Sequence, residues 1–366
     1  MTTSSLKILA FEPFDSGSHR SVRQSISQHS RHNWTWLTRP GRAWKWRMRL
    51  AAIELIQQAH VQCAFDTPAD LIFVTSLLSA ADLRALLPAE LRSVPLVVYM
   101  HENQAAYPYS DRNEVDPKRD VHFALTNLTT TLAADCVIFN SVYNRQSFLI
   151  GLKDILKNTP DLAAGNWLEQ IESKSHIAWP PVELPPESFG QSSEGGRVLH
   201  NSIRVVWPHR WEHDKGVDEL LDIANQYTEP LNLRWTILGE QFSKVPKALN
   251  EFRDKFANQI DHIGFEPDRK KYWQHLRECD WVLSTAKHEF FGIAVVEALL
   301  AGCLPWLPDR LSYPELLPAS ATNLSPYDPP SDSTRVLRDI AAHLKPAIAA
   351  NAVARIDELL QQAVKA

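Results

Sequence analysis

At 366 residues the chain is too long for one compact core, so two domains are expected. Its 44% hydrophobic and 22% charged composition is that of an ordinary soluble globular protein, without the roughly 18 consecutive apolar residues of a membrane span. The net charge of -5 gives no overall pull towards nucleic acid. Cys63, Cys136, Cys279 and Cys303 are scattered with no paired spacing, which argues against a zinc site or a disulfide framework and suits a reducing cytosol. The first residues lack the apolar length and cleavage site of a signal peptide, so a cytoplasmic protein is expected.

Short apolar runs alternate with helical patterns throughout, as in parallel α/β units. The first strand, "LKILAFE" at residues 6–12, runs into "SGSH". There Gly17 lets backbone approach a ligand, and Ser18 and His19 offer polar contacts; a plain turn would have the same composition. A helix is expected over residues 18–29 and a strand at "NWTWLT". Between Asp15 and Glu54 the chain holds no acidic residue, yet Arg39, Arg42, Lys45, Arg47 and Arg49 fall there, interleaved with Trp34, Trp36, Trp44 and Trp46. Cations that neutralise phosphates and rings that stack on unpaired bases would make this an RNA contact. Alternating tryptophans are equally a core pattern, and both readings stay open.

Strands follow at "LIFVTS", "PLVVYMH" and "CVIFNS", with a helix over residues 117–134. "HENQ" places His101, Glu102 and Asn103 together at a strand's carboxyl end, although a lone histidine there can be purely structural. The proline-, serine- and glycine-rich stretch at 179–202 reads as a linker, dividing the chain into domains at 1–185 and 186–366.

The second set of strands is "IRVVWPHR", "RWTILGE", "DHIGF", "WVLSTA" and "CLPWLP". In "WPHRWEHDKG", Arg210 and Lys215 straddle a strand-to-helix turn with Asp214 as its N-cap, an arrangement suited to a diphosphate. A surface salt bridge to Glu212 or Asp214 is the alternative. In "KHEFFGIAVVEALLAG", Glu289 precedes Phe290, Phe291 and Gly292, and a helix carrying Glu297 starts near Ile293. Its first amides would form an anion site, and a carboxylate one turn in could hold a ribose diol; solvated helix-end charges would show the same spacing. The tail from Ser333 reads as two helices that pack back on the first domain. No GxGxxG or GxxxxGK[ST] occurs, which argues against a dinucleotide dehydrogenase or a P-loop enzyme. The whole is an α/β chain of two doubly wound, Rossmann-like domains, expected to bind ligand in a cleft at the carboxyl ends of both strand sets.

"KHEFFGIAVVEA" resembles the E-x7-E signature of retaining GT-B glycosyltransferases that use nucleotide-sugar donors. The resemblance implies that Glu289 contacts the transferred sugar, that Glu297 holds the donor ribose and that the backbone of Phe290, Phe291, Gly292 and Ile293 holds the diphosphate. Arg210 and Lys215 would take the leaving-group charge, and His101 would approach the sugar or acceptor. Gly17, Ser18 and His19 complete the implied donor contacts, although the family has two adjacent glycines where this chain has Ser16-Gly17-Ser18. "HENQAAYP", "PHRWEHDKG", "STAKHEFFG" and "YPEL" together resemble one narrow subgroup, the tRNA-queuosine α-mannosyltransferases. That implies GDP-mannose as donor, the queuosine at the anticodon of aspartate tRNA as acceptor and retention at the anomeric carbon. Arg39, Arg42, Lys45, Arg47, Arg49, Glu102 and Asn103 would then serve the tRNA side. Neither metal nor other cofactor is expected, because fixed cations would replace a divalent ion. A same-fold transferase with a lipid or polysaccharide acceptor, or a silent RNA-binding protein, are the rival readings.

Overall fold

The computed structural model describes residues 5–106, 117–159, 161–162, 165–185, 201–240 and 245–365. It divides into two compact units, Met1–Pro181 with Ala347–Ala366, and Val182–Pro346. The boundary lies at 181/182 rather than at 185/186. Most of the expected linker, and the last two residues of "HENQAAYP", lie outside the described residues.

The first unit runs β1 (Lys7–Asp15), α1 (Gly17–His29), β2 (Asn33–Pro40), α2 (Trp44–Val61), β3 (Leu71–Thr75) and α3 (Ala80–Leu86). It continues with β4 (Leu96–Met100), α4 (Pro117–Ala133), β5 (Cys136–Phe139), α5 (Val142–Lys157), α6 (Trp167–Ser173) and β6 (Ser175–Ile177). These strands form one parallel sheet in the order β2-β1-β3-β4-β5-β6. β3, β4 and β5 are buried at every residue, as unbroken apolar runs covered by helices on both faces must be. β2 is an edge strand with partly exposed alternate residues, so "NWTWLT" alternates where the central strands do not.

Two of these elements were not visible in the pattern. β6 is three residues of intermediate burial, too short to carry a period. The segment "RAWKWRMRL" opens the 18-residue helix α2, whose inner face is Met48, Ala51, Ala52, Leu55, Ile56 and Ala59.

The second unit contains β7 (Ile203–Pro208), α7 (Val217–Tyr227), β8 (Leu233–Leu238), α8 (Lys247–Lys255), β9 (Ile260–Gly264), α9 (Arg269–Arg277) and β10 (Trp281–Leu283). α10 (Ile293–Leu300), β11 (Leu304–Trp306), α11 (Tyr313–Leu316) and α12 (Ser333–His343) complete it. Its parallel sheet has the order β11-β10-β7-β8-β9. The last helix, α13 (Ala349–Lys365), returns to the first unit. There the buried Asp357 accepts from Ser30 Oγ at 2.7 Å and Arg31 N at 2.9 Å, capping the end of α1. A buried carboxylate that satisfies a hydroxyl and an amide fixes where that helix can sit.

Gly216 shows how tightly the second unit is built around its strand ends. It has φ +65°, and a Cβ there would lie 2.0 Å from the carbonyl oxygen of Thr285. Gly216→Ala should therefore destabilise the protein by about 3 kcal/mol or more, through left-handed strain and the backbone clash together. A clear fall in the melting temperature by circular dichroism is the expected outcome.

Candidate active site

In the second sheet the chain steps from β7 to β8 and β9 on one side, then returns to β10 and β11 on the other. The order reverses between β7 and β10, and the crevice outside the carboxyl ends of such strands is where doubly wound sheets bind ligands. Lys215 follows β7 and Glu289 follows β10. Lys215 Nζ donates to the His288 carbonyl at 2.8 Å and lies 3.1 Å from Asp214 and 3.4 Å from Glu289. The Thr285 hydroxyl holds the loop in place, donating to the Lys215 carbonyl at 2.8 Å and accepting from Trp207 Nε1 at 2.9 Å.

Asp214 is not the helix N-cap expected from its position. It lies inside a short 3-10 turn, His213–Lys215, and Gly216 precedes α7. The Asp214 carboxylate is spent on Lys215, and its carbonyl accepts from the amides of Lys287 and His288.

Burial works against the charge of Lys215, but Glu289 and Asp214 outweigh it and raise its pKa above the ordinary lysine value. Burial would likewise raise Glu289; Lys215 reverses this and holds the carboxyl at about 2. Glu289 is thus an ionised acceptor at any working pH, suited to receiving hydroxyl hydrogen bonds and unsuited to proton shuttling. His209, buried and beside Lys215, falls to about 3 and is neutral. It meets Ser284 Oγ at 2.9 Å, and Ser284 meets the Tyr313 hydroxyl at 2.6 Å.

α10 begins just beyond this pair. Gly292 takes φ +91°, with Glu289 Cγ and the Tyr313 ring each 3.4 Å from where a Cβ would be. The Phe290 and Phe291 side chains are buried, and Ser312 Oγ donates to the Phe291 carbonyl. The capping bond of α10 runs from Val296 N to the Gly292 carbonyl, so the amides of Ile293 and the next two residues point out of the helix start. Glu297 is the one charged residue in "IAVVEALL" and is buried. Arg269 Nη2 donates to it at 2.6 Å and the Tyr272 hydroxyl at 2.8 Å, both from α9. Arg210 is half-exposed and pairs with Glu212 at 3.2 Å, the arrangement of a surface ion pair. The second unit therefore offers a fixed cation, an outward-facing cation, an ionised carboxylate and a helix start, with a second, buried carboxylate one turn into that helix.

In the first unit the sheet order reverses between β1 and β3. His19 Nδ1 lies 3.1 Å from Glu12, and its Nε2 lies 3.1 Å from Glu102. Carboxylates only accept, so both ring nitrogens donate and the ring is an imidazolium. Burial opposes that charge, yet Glu12 and then Glu102 outweigh it and raise the pKa to about 10. His101 stacks on this ring with centroids 3.9 Å apart; burial and the charge of His19 hold it neutral, well below the usual histidine value. His19 is therefore committed to Glu12 and Glu102, not open to a donor as its place after Gly17 suggested. Gly17 and Ser18 are exposed at the start of α1.

Asn103 also departs from expectation. It is fully buried, with its amide donating to Asn144 and Ser147 and its carbonyl accepting from Ala106, so it anchors the loop to α5.

The basic window divides between the two readings. Trp34 and Trp36 stack at 5.0 Å and pack edge-on against Phe73, and Trp44 packs against Phe123. Trp46 is 68% exposed. Arg39 and Arg47 fold back on Glu54. Arg42, Lys45 and Arg49 are exposed, with Lys45 over the Trp44 and Phe123 rings and Arg49 reaching the His122 carbonyl at 3.5 Å.

Sequence spacing does not single out Arg269, Tyr272, His209, Ser284, Tyr313 or Glu12. Only Glu12 left a signal, as a carboxylate inside an apolar strand.

Residues 7–182 match the family model for the tRNA-queuosine alpha-mannosyltransferase N-terminal domain, and residues 195–320 match that for glycosyl transferases group 1. The chain is 33% identical over 317 residues to the tRNA-queuosine alpha-mannosyltransferase of Drosophila melanogaster, covering 85% of this chain and 81% of that protein. The chain belongs to the tRNA-queuosine alpha-mannosyltransferase family. It is a glycosyltransferase. A shorter match, 23% over 171 residues, is to a GDP-mannose:cellobiosyl-diphosphopolyprenol alpha-mannosyltransferase of Xanthomonas campestris, covering 39% of this chain and 44% of that one.

Among solved structures, the N-terminal domain of the Candida albicans trehalose-6-phosphate phosphatase covers 98% of this chain and 97% of its own at 13% identity, with TM-score 0.67. A trehalose-phosphate synthase from Burkholderia xenovorans covers 98% and 100% at 11% identity, with TM-score 0.64. At such identities the likeness shows the fold alone, and the fold of this family member is GT-B, with two Rossmann-like domains. Among the described residues no helix is long and apolar enough to cross a membrane.

The depressed pKa of Glu289 carries a stability consequence. A carboxyl held below its ordinary value of 4.5 contributes its full stabilisation above that pH and loses it as the pH falls towards about 2. Glu289→Gln should therefore cost roughly 2 to 3 kcal/mol at pH 7. The gap in melting temperature from wild type should shrink as the pH drops below about 4.5.

Proposed function

We propose that this glycosyltransferase moves mannose from GDP-mannose to the queuosine at the anticodon of aspartate tRNA, retaining the anomeric configuration. The observation that carries the donor half is the buried Lys215 held against Glu289 beside the start of α10. Membership of the family carries the acceptor half.

In this reading the donor diphosphate lies at the amides of Gly292 and Ile293, and Glu297, oriented by Arg269 and Tyr272, accepts from the ribose diol. Lys215 and Arg210 stabilise the charge that develops on the diphosphate as the bond from the anomeric carbon to its oxygen breaks. Arg210 swings from Glu212 to do so. Glu289, ionised, accepts from hydroxyls of the transferred sugar, and the neutral ring of His101 presents a nitrogen to a substrate hydroxyl. The acceptor oxygen forms the new bond on the face the diphosphate leaves, and its proton passes to the departing phosphate oxygen. Neither a covalent enzyme intermediate nor a divalent cation enters the scheme.

Incubating the protein with tRNA and a panel of labelled nucleotide sugars tests this directly. Label should reach only queuosine-bearing aspartate tRNA, only from GDP-mannose, and undiminished in excess EDTA. Glu297→Gln should raise the donor KM tenfold or more, the loss expected when one charged hydrogen-bond partner is removed. Label in tRNA lacking queuosine, or dependence on added metal, would count against the scheme.

The tRNA itself is assigned to the outward part of the basic window, where Arg42, Lys45 and Arg49 meet phosphates and Trp46 offers a ring to an unpaired base. Arg39 and Arg47, spent on Glu54, play a lesser part. The double change Arg42→Glu with Lys45→Glu should weaken tRNA binding about tenfold at low salt and flatten its salt dependence, with donor affinity unchanged. Filter binding across a salt series provides the check.

A further inference from the structure

The cluster at the reversal of the first sheet has a composition the donor chemistry does not use. It joins Glu12 from β1, His19 from α1, Ser76 after β3, and His101 and Glu102 after β4. Two carboxylates and one imidazolium sum to one net negative charge. Glu12 is 1% exposed and its oxygens serve His19 and the Phe14 amide. Glu102 is the open member, with its side chain 19% exposed. Its oxygens accept from His19 at 3.1 Å and Ser76 at 3.3 Å, which leaves lone-pair capacity on each.

A second observation points to a ligand. His101 is only 7% exposed, and among the described residues neither of its ring nitrogens makes a hydrogen bond. One of them lies within 4.8 Å of the Glu12 oxygen and His19 nitrogen it faces. A mostly buried polar side chain without a protein partner is left to bond water or a ligand. The same atoms could bracket a metal ion only if His19 gave up a proton and one of its two carboxylate contacts.

We propose that this cluster is the subsite for the side chain of the modified base, with Glu102 receiving a protonated secondary amine and the neutral His101 receiving an adjacent ring hydroxyl. This deepens the acceptor assignment above and rests on it. Queuosine carries such an amine between its deazaguanine ring and a cyclopentene diol, whereas the guanosine it replaces has neither group. A buried site of net negative charge favours the cationic ligand and leaves guanosine with nothing to neutralise it. The role of Glu12 and His19 is positional: the imidazolium holds Glu102 in place and stacks beneath His101.

Binding of the free base queuine to the whole protein, by titration calorimetry, tests the subsite without any transfer reaction. Wild type should bind queuine and should bind its N-acetylated, uncharged derivative about tenfold more weakly, the loss of one charge-assisted hydrogen bond. Glu102→Gln, which keeps the shape and the Ser76 contact, should bind both about equally and at the weaker level, with GDP affinity as the check on folding. Ser76→Ala, which removes one neighbour of Glu102 and no charge, should retain preference for the amine. Equal affinity of wild type for queuine and its acetylated form, queuine binding unchanged in Glu102→Gln, or no measurable queuine binding to wild type would each overturn the proposal. Glu102-dependent queuine binding without transfer to queuosine tRNA would uphold the subsite and refute the proposed reaction instead.

Discussion

The second unit is organised by one constraint, a lysine ammonium buried between two carboxylates. Removing such a charge from water costs several kcal/mol unless geometry and hydrogen bonding offset it. Lys215 meets Glu289, Asp214 and the His288 carbonyl, and each of these comes from a loop that another contact fixes. Thr285 ties the lysine loop to the end of β10 and to Trp207 inside the sheet. Gly216 brings the same loop against Thr285, where no side chain would fit. The ion pair thus sets the distance between the loops after β7 and β10, and α10 starts from the loop it holds.

The two units place related but differently charged clusters at equivalent points in their topology. Each sheet reverses strand order once, and at each reversal a cation is clamped by carboxylates from nearby strand ends and loops. In the second unit Arg210 and the start of α10 stand beside the clamped cation, so an added anion is favoured. In the first unit the clamp carries the surplus negative charge, and the ring stacked on it is neutral. The same architectural position therefore suits a phosphate-bearing ligand in one unit and a cationic, hydroxylated one in the other.

Net charge is a poor guide to local charge. The chain is acidic overall, yet Arg42 just before α2 and Lys45 and Arg49 in its first turns are exposed around the exposed Trp46. The other three tryptophans of the window pack on Phe73 or Phe123, because alternation along β2 and the helical turn of α2 send them to the protein side. One short segment thus supplies both core and surface, and the choice is made residue by residue by its secondary structure.

The sequence by itself determined the α/β alternation, because central strands of a parallel sheet must be continuous apolar runs and "LIFVTS", "PLVVYMH" and "CVIFNS" are such runs. It also determined the helix at "IAVVEALL", through the glycine that starts it and its apolar content, and it marked Lys215, Glu289 and Glu297 as charges at strand ends or within a buried helix. Only the tertiary structure decided who partners whom. Arg269 and Tyr272 reach Glu297 from a helix 28 and 25 residues away, and Glu102 meets His19 across 83 residues, separations at which local spacing has no period to read. The same holds for Asn103, which "HENQ" presents as exposed polar chemistry and the packing of α5 turns into an anchor. Local sequence dictates where a charge emerges from a strand, whereas its protonation and availability follow from neighbours brought together by the sheet order.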